Sequence, residues 1–189
     1  MRRLALLVLA GSAAAVSLPA LAHREAGAHK HGRGTLNIAV EGNKVTMELE
    51  VPGVDIVGFE HVAKSRRDKQ AVEKAKAQLQ APLALFKLPT AADCRVAEAK
   101  VEFGADEDDK SKPAGAKGSK AKDEHEHSEF HAQYTLECQS PVSITAIEFP
   151  FFRTFAGAEK LEVNVITAKG QNRFEVSRKR PSLSLAGMI

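Results

Sequence analysis

The sequence predicts an α+β fold: two related halves of mainly antiparallel strands, each with a helix or helical turn, joined by a disordered charged linker. Three observations predict it. Apolar and polar residues alternate with a period of two over several short stretches, as half-buried strands require. One segment between them carries its apolar residues at helical spacing instead. The stretch from Gly104 to Glu124 has no apolar period at all and separates residues 23–103 from residues 125–189.

Residues 1–22 read as a signal peptide rather than part of the fold. Arg2-Arg3 supplies a positive start, and Leu4 to Val16 is apolar but too short to remain in a bilayer. Ala20-Leu21-Ala22 gives the small-x-small pattern of a cleavage site. Cleavage would leave His23 as the first residue of an exported chain. No later stretch is long and apolar enough for a membrane helix, so no membrane association is expected once the leader is gone.

Within the mature chain, Leu36, Ile38 and Val40 alternate with polar or small residues. Gly42-Asn43 then offers a tight turn, and Val45, Met47, Leu49 and Val51 repeat the alternation up to Pro52. Pro52 to Glu60 is expected to be irregular. Ser65 followed by Asp68 is a capping-box variant, and Val72, Ala75 and Leu79 share one face of the helix it opens. Pro82 ends or kinks that helix, and Leu83 to Leu88 continue as a short apolar connection. Cys94 to Phe103 is strand-like, with a parity shift between Val96 and Ala97 that predicts a bulge.

In the second half, strands are expected over Glu129–Cys138, over Val142–Phe149, and around Leu161–Val165 and Phe174–Val176. A helical or irregular turn carries Phe151, Phe152 and Phe155. The run from Glu48 to Glu60 resembles that from Ala146 to Glu159: each reads strand, Glu-apolar-Pro, apolar turn, Gly, Glu. A duplicated strand–strand–helix–strand unit is the organisation this suggests.

Composition narrows the function classes. Setting aside Arg2 and Arg3 leaves 25 basic against 24 acidic residues, with no Trp and a single Tyr, so no basic and aromatic nucleic-acid surface is expected. No nucleophile elbow, His-Glu-x-x-His, phosphate loop or dinucleotide fingerprint occurs, and the chain does not read as an enzyme. Cys94 and Cys138 fit a disulfide in an oxidising compartment. Closing that separation would stabilise by about 4 kcal/mol in the chain-entropy model.

The histidines carry the sharper expectation. His29 and His31 form one His-x-His pair and His125 and His127 another, with Glu129 and His131 just beyond. Imidazole and carboxylate together suit zinc and other first-row divalent ions. Phe130, Ala132, Tyr134, Leu136 and Cys138 take the core parity, which sends Glu129, His131 and, on an extended strand, His125 and His127 to the solvent face. His29 and His31 likewise project outward ahead of the first strand. The two groups either converge on one metal, bind separately, or complete a shell from a second molecule in a homodimer. His61 reads as a capping or packed residue. A mature N-terminal His23 offers an amine-imidazole chelate that suits copper. The bland alternative is a periplasmic interaction module whose histidines are simply solvated.

Four stretches together resemble a known family. They are His31-Gly-x-Gly-x-Leu-Asn-Ile-Ala39, Val57-Gly-Phe-Glu-His61, Leu88-Pro-x-x-Ala-x-Cys94, and Glu126-His-Ser-Glu-Phe-His-Ala-x-Tyr134 running on to Cys138. The combination is similar to the ZrgA-type periplasmic zinc-binding proteins. That resemblance implies an α+β periplasmic protein that binds exchangeable Zn²⁺ and buffers or delivers it, alongside a zinc ABC importer or its binding protein. Such proteins carry a histidine-rich linker. Here the linker is mostly Lys, Ala, Gly and Asp, with histidines only at its C-terminal end. A defined surface site is therefore expected rather than a flexible tract of ligands.

Overall fold

The computed structural model describes residues 31–105 and 128–189; the expected leader, most of the expected linker, and His23, His29, His125 and His127 lie outside them. The fold is α+β, built on a six-stranded sheet of order β3-β4-β2-β1-β6-β7. Its strands are β1 (Arg33–Glu41), β2 (Lys44–Pro52), β3 (Cys94–Ala105), β4 (Ser128–Cys138), β6 (Lys160–Thr167) and β7 (Gly170–Ser177). Every neighbouring pair is antiparallel except β1 and β6, which run parallel. A second, two-stranded sheet pairs β5 (Ala146–Glu148) with β8 (Ser182–Ser184).

The first hairpin forms as the alternation predicts. Leu36, Ile38 and Val40 of β1 and Val45, Met47, Leu49 and Val51 of β2 are all buried. The ladder closes at Glu41 and Lys44, with Gly42 at φ 54° between them. The same face of β4 buries Phe130, Ala132, Tyr134 and Leu136, and that of β6 buries Leu161, Val163 and Val165. One contiguous core results, shared by strands from both sides of residues 106–127.

Among the described residues, four α-helices accompany the sheet: α1 (Gly53–Val57), α2 (Arg66–Leu79), α3 (Pro82–Leu85) and α4 (Phe151–Thr154). Ser65 caps α2 in a full capping box. Its side chain accepts from the Asp68 N–H at 3.0 Å, and Asp68 Oδ2 accepts from the Ser65 N–H at 3.3 Å. Val72, Ala75 and Leu79 are its buried face. Full burial of a side chain such as Leu79 contributes about 2 kcal/mol. Phe86, Phe149, Phe151 and Phe152 pack ring against ring in the core below α3 and α4.

Cys94 and Cys138 stand directly opposite each other in the β3–β4 ladder and are joined by a disulfide. The expected bulge is present, as a register shift between Val96 and Glu98.

Several expectations need correction. Residues 53–57 form α1 rather than an irregular segment, because Gly58 ends a short helical turn in the left-handed conformation (φ 84°). Residues 82–85 form α3, with Pro82 at the first helical position, where its missing N–H leaves no bond unmade. Gly104 and Ala105 belong to β3 rather than to the linker. The strand expected over Val142–Phe149 contracts to β5, since Pro141–Ser143 forms a 3-10 turn. β8 was not anticipated: three residues with one apolar side chain carry too little pattern. The suggested repeat survives only as an order of elements. β1 and β2 pair with each other, whereas β4 pairs with β2 and β3 and not with β5.

Candidate metal centre

One end of the large sheet gathers the groups able to bind a metal. There β1, β4 and β6 begin and β2, β3 and β7 end. Ala105 pairs with Ser128 at this end, so the segment numbered 106–127 leaves and re-enters the fold there. The disulfide closes the opposite end of the same β3–β4 pair.

The approach to β1 is fixed by Gly32. Its φ of 79° lies in the left-handed region that favours glycine. Its N–H donates to Asp55 Oδ1 at 2.8 Å, and its carbonyl accepts from the N–H groups of Glu159 and Lys160 at 2.9 and 2.8 Å. His31, immediately before it, has a side chain that is 68 % exposed, with Nε2 3.0 Å from Glu60 Oε1.

Glu60 is brought there by α1. The Gly58 N–H returns to the Val54 carbonyl at 3.0 Å and reverses the chain, and the Glu60 carbonyl then accepts from the Ser128 N–H at 2.9 Å. Gly53 makes this crossing possible, because a Cβ there would come within 2.7 Å of the carbonyl oxygens of both Phe59 and Ser128.

Asp55 lies behind His31 and is 4 % exposed. Burial pushes its carboxyl above the ordinary carboxylate range. The Gly32 N–H and the charge of His31 pull it back, while Glu60 and Glu159 push it further up. Among the described residues its Oδ2 has no hydrogen-bond partner.

A second imidazole–carboxylate pair sits on β4, where His131 Nε2 contacts Glu129 Oε1. His131 is flanked in register by Glu50 on β2 and Glu102 on β3. Cross-strand neighbours of this kind stand about 5 Å apart at Cβ. The same row continues through Thr35 to Glu162 and Glu175. Those last two carboxylates are compensated, Glu162 by Arg173 at 3.3 Å and Glu175 by Lys160 at 2.8 Å. Around His131 the row stays acidic, although the charge of Glu102 also acts on Lys100, which pairs with Glu98 at 2.8 Å.

The predicted residues fare differently. His31 is exposed ahead of β1, as its position implied. Parity assigns Glu129 and His131 to one face correctly, but the expectation of an open face fails. Glu129 is only 5 % exposed and the His131 side chain 31 %. Period-two alternation specifies a face, not what lies over it. Asp55, Glu60, Glu50 and Glu102, which lie beside these residues, were not singled out in the sequence. Glu60 lay within a quoted motif, but nothing local to it says that α1 would fold it back against His31. His61 lies ahead of α2, its ring 4.6 Å from that of Phe59 and its Nε2 3.4 Å from Asp68 Oδ2.

Among the described residues, no three His, Cys, Asp or Glu side chains are gathered tightly enough to hold a metal ion. Each of the two imidazole–carboxylate pairs at this end of the sheet can supply part of a coordination shell, which other donors must complete. None of the described helices is long and apolar enough to cross a membrane.

A family model described as ZrgA family zinc uptake protein matches residues 28–185. No curated protein matches the chain.

Proposed function

The chain belongs to the ZrgA family of zinc uptake proteins, and from that premise we propose that it binds exchangeable Zn²⁺ in the periplasm and buffers or delivers it for uptake, without catalysing a reaction. The observation that supports this reading is that the His31–Glu60 and Glu129–His131 pairs lie at the same end of the sheet, where residues 106–127 join β3 to β4. Chain connectivity keeps His127 beside Ser128, whose N–H is bonded to Glu60, and keeps His29 two residues from His31. The candidate donors are therefore His29, His31, His125, His127, Glu129 and His131, joined by Glu60.

The chemistry suits a carrier. Zinc accepts imidazole nitrogen and carboxylate oxygen with little geometric demand of its own. A shell assembled from two side-chain pairs and flanking residues exchanges its ion more readily than a closed four-ligand site. The receiving partner on this reading is a zinc ABC importer or its binding protein.

Calorimetric titration with Zn²⁺ and Cu²⁺, on the exported protein and on a variant lacking His125, His127 and His131, tests the proposal. Zinc binding that weakens strongly in the variant is the expected result. Unchanged zinc affinity in the variant would remove those residues from the site. Preferred Cu²⁺ binding that needs a free His23 amine would replace zinc with copper, and no metal binding at all would leave an interaction module.

A further inference from the structure

Charge is unevenly spread over this chain, and α2 carries a concentrated basic surplus. From Lys64 to Lys76 there are six basic residues (Lys64, Arg66, Arg67, Lys69, Lys74 and Lys76) against two acidic ones, Asp68 and Glu73. Taking these from the 25 basic and 24 acidic residues that follow Arg3 leaves 19 basic against 22 acidic. The helix is a positive surface on a chain whose other residues carry an acidic excess.

Folding does not use most of these cations. Val72, Ala75 and Leu79 bury the inner face of α2, while Lys64, Arg66, Arg67, Lys69 and Lys74 are exposed. Among the described residues, none of those five forms an ion pair. Glu73 pairs with Lys76 at 3.8 Å, and Asp68 is engaged by Ser65 and His61. Arg66 and Arg67 occupy the first turn, where the helix dipole disfavours positive charge. That placement weakens the helix unless an anion lies outside it.

The make-up of the surface says which anion fits. Lys64, Arg66 and Lys69 line one shallow depression together with Gln70 and Glu73. Over the roughly 21 Å of α2, the exposed side chains are Arg, Lys, Gln, Glu and Ala, with no aromatic or large apolar residue among them. A protein partner needs an aromatic or apolar anchor at the centre of its footprint, where lysine is depleted. An anionic lipid leaflet needs no anchor, because its surface potential attracts clustered cations directly. The lack of a membrane-spanning helix among the described residues bears on insertion, not on adsorption.

We propose that the outer face of α2 is a peripheral docking surface for a bilayer bearing anionic phospholipid headgroups. The row through His131, Glu50 and Glu102 lies on the opposite face of the sheet from the core that α2 covers. Adsorption through α2 turns that acidic row away from the lipid, whose potential would repel it. The inference is independent of the zinc reading and holds for the metal-free protein.

The test is vesicle co-sedimentation of the exported protein in EDTA, so that metal bridging plays no part. Vesicles are phosphatidylcholine alone or with about 40 % phosphatidylglycerol, at low salt and in about 0.5 M NaCl. The protein should sediment with the anionic vesicles at low salt and with neither vesicle at high salt. The variant Arg66→Gln, Arg67→Gln, Lys69→Gln, Lys74→Gln should partition at least about tenfold more weakly, since each cation near such a surface multiplies binding about fivefold. Its Tm should equal or exceed that of the wild type, because the first turn loses two misplaced charges. A second variant, Lys44→Gln, Lys87→Gln, Lys169→Gln, Lys179→Gln, removes the same charge from exposed positions elsewhere and should bind within about threefold of the wild type. Wild-type protein that ignores the anionic vesicles overturns the proposal, and binding to poly-L-glutamate in their place would assign the face to an acidic polypeptide. Undiminished binding by the α2 variant overturns it as well, as does an equal loss in the second variant.

Discussion

The Ser128 N–H donates to the Glu60 carbonyl at 2.9 Å, tying the first residue of β4 to the loop that follows α1. That bond links the segments carrying two imidazole–carboxylate pairs that are far apart in the chain. Glu60 carries His31 at its side chain, and Glu129, next to Ser128, carries His131.

Gly53→Ala is expected to break this arrangement. The added methyl would meet two carbonyl oxygens at 2.7 Å and the Phe103 ring at 3.1 Å, and backbone cannot yield as a flexible side chain does. Denaturant unfolding should register a loss of about 1–3 kcal/mol, and calorimetry a parallel loss of zinc affinity. A variant with normal stability and normal zinc binding would refute the crossing as the organiser of the site.

His31→Ala and Glu60→Gln should separate binding from stability. The pair is largely solvent-exposed on the histidine side, so its contribution to folding is small, of the order of 0–1 kcal/mol. Zinc affinity should nevertheless drop in both variants while the metal-free melting curve stays close to that of the wild type.

Acidification should release the metal. An imidazole must be neutral to coordinate, and its ordinary pKa is about 6.5. Protonation therefore competes with zinc below that pH, and each histidine ligand bound there displaces one proton. Titrations at pH 7.5, 6.5 and 5.5 (about one unit to either side of that value) should show affinity falling at each step. A flat profile would point to carboxylates alone.

Ser65→Ala should weaken α2 by about 1 kcal/mol, the usual worth of such a cap, as read from urea midpoints. The cap also sets an acid dependence. Ser65 holds the Asp68 carboxyl below its ordinary range, with a smaller contribution from His61. A carboxyl lowered by folding stabilises the native state above its unfolded pKa and loses that contribution as pH falls through the lower folded value. The acid limb of the stability profile should therefore be shallower in the variant.

Much of this fold could be read from residue pattern. The β1–β2 hairpin, the α2 cap and buried stripe, the β3 bulge and the Cys94–Cys138 pair all follow from local signals a few residues long. The parallel pairing of β1 with β6 does not. Leu36 meets Val163, more than a hundred residues away, and alternation says only that each strand has an apolar face. The candidate site divides the same way. Histidine spacing and strand parity single out His31, Glu129 and His131, but Glu60 comes beside His31 through the path of α1, which depends on Gly53 fitting against distant backbone and on the left-handed turn at Gly58. The burial of Glu129 was beyond parity for the same reason.

Removing the disulfide, as Cys94→Ala with Cys138→Ala, should cost about 4 kcal/mol of stability in the chain-entropy model. Zinc affinity should remain unchanged in whatever fraction stays folded, because the bridge closes the end of the β3–β4 ladder opposite the candidate donors. Altered affinity in fully folded protein would mean that the two ends of the sheet communicate.

The connection from β3 to β4 has a bearing on how such a protein can change. Residues 106–127 join two neighbouring antiparallel strands whose ladder is already complete at Ala105 and Ser128. Closing a longer loop is cheap: doubling its length costs only about 0.6 kcal/mol. Insertions, deletions and exchanges of histidine for lysine in that stretch can thus vary the number of coordinating groups while the scaffold folds as before. On the zinc-binding reading, metal capacity becomes a trait that selection can adjust independently of the architecture that anchors it.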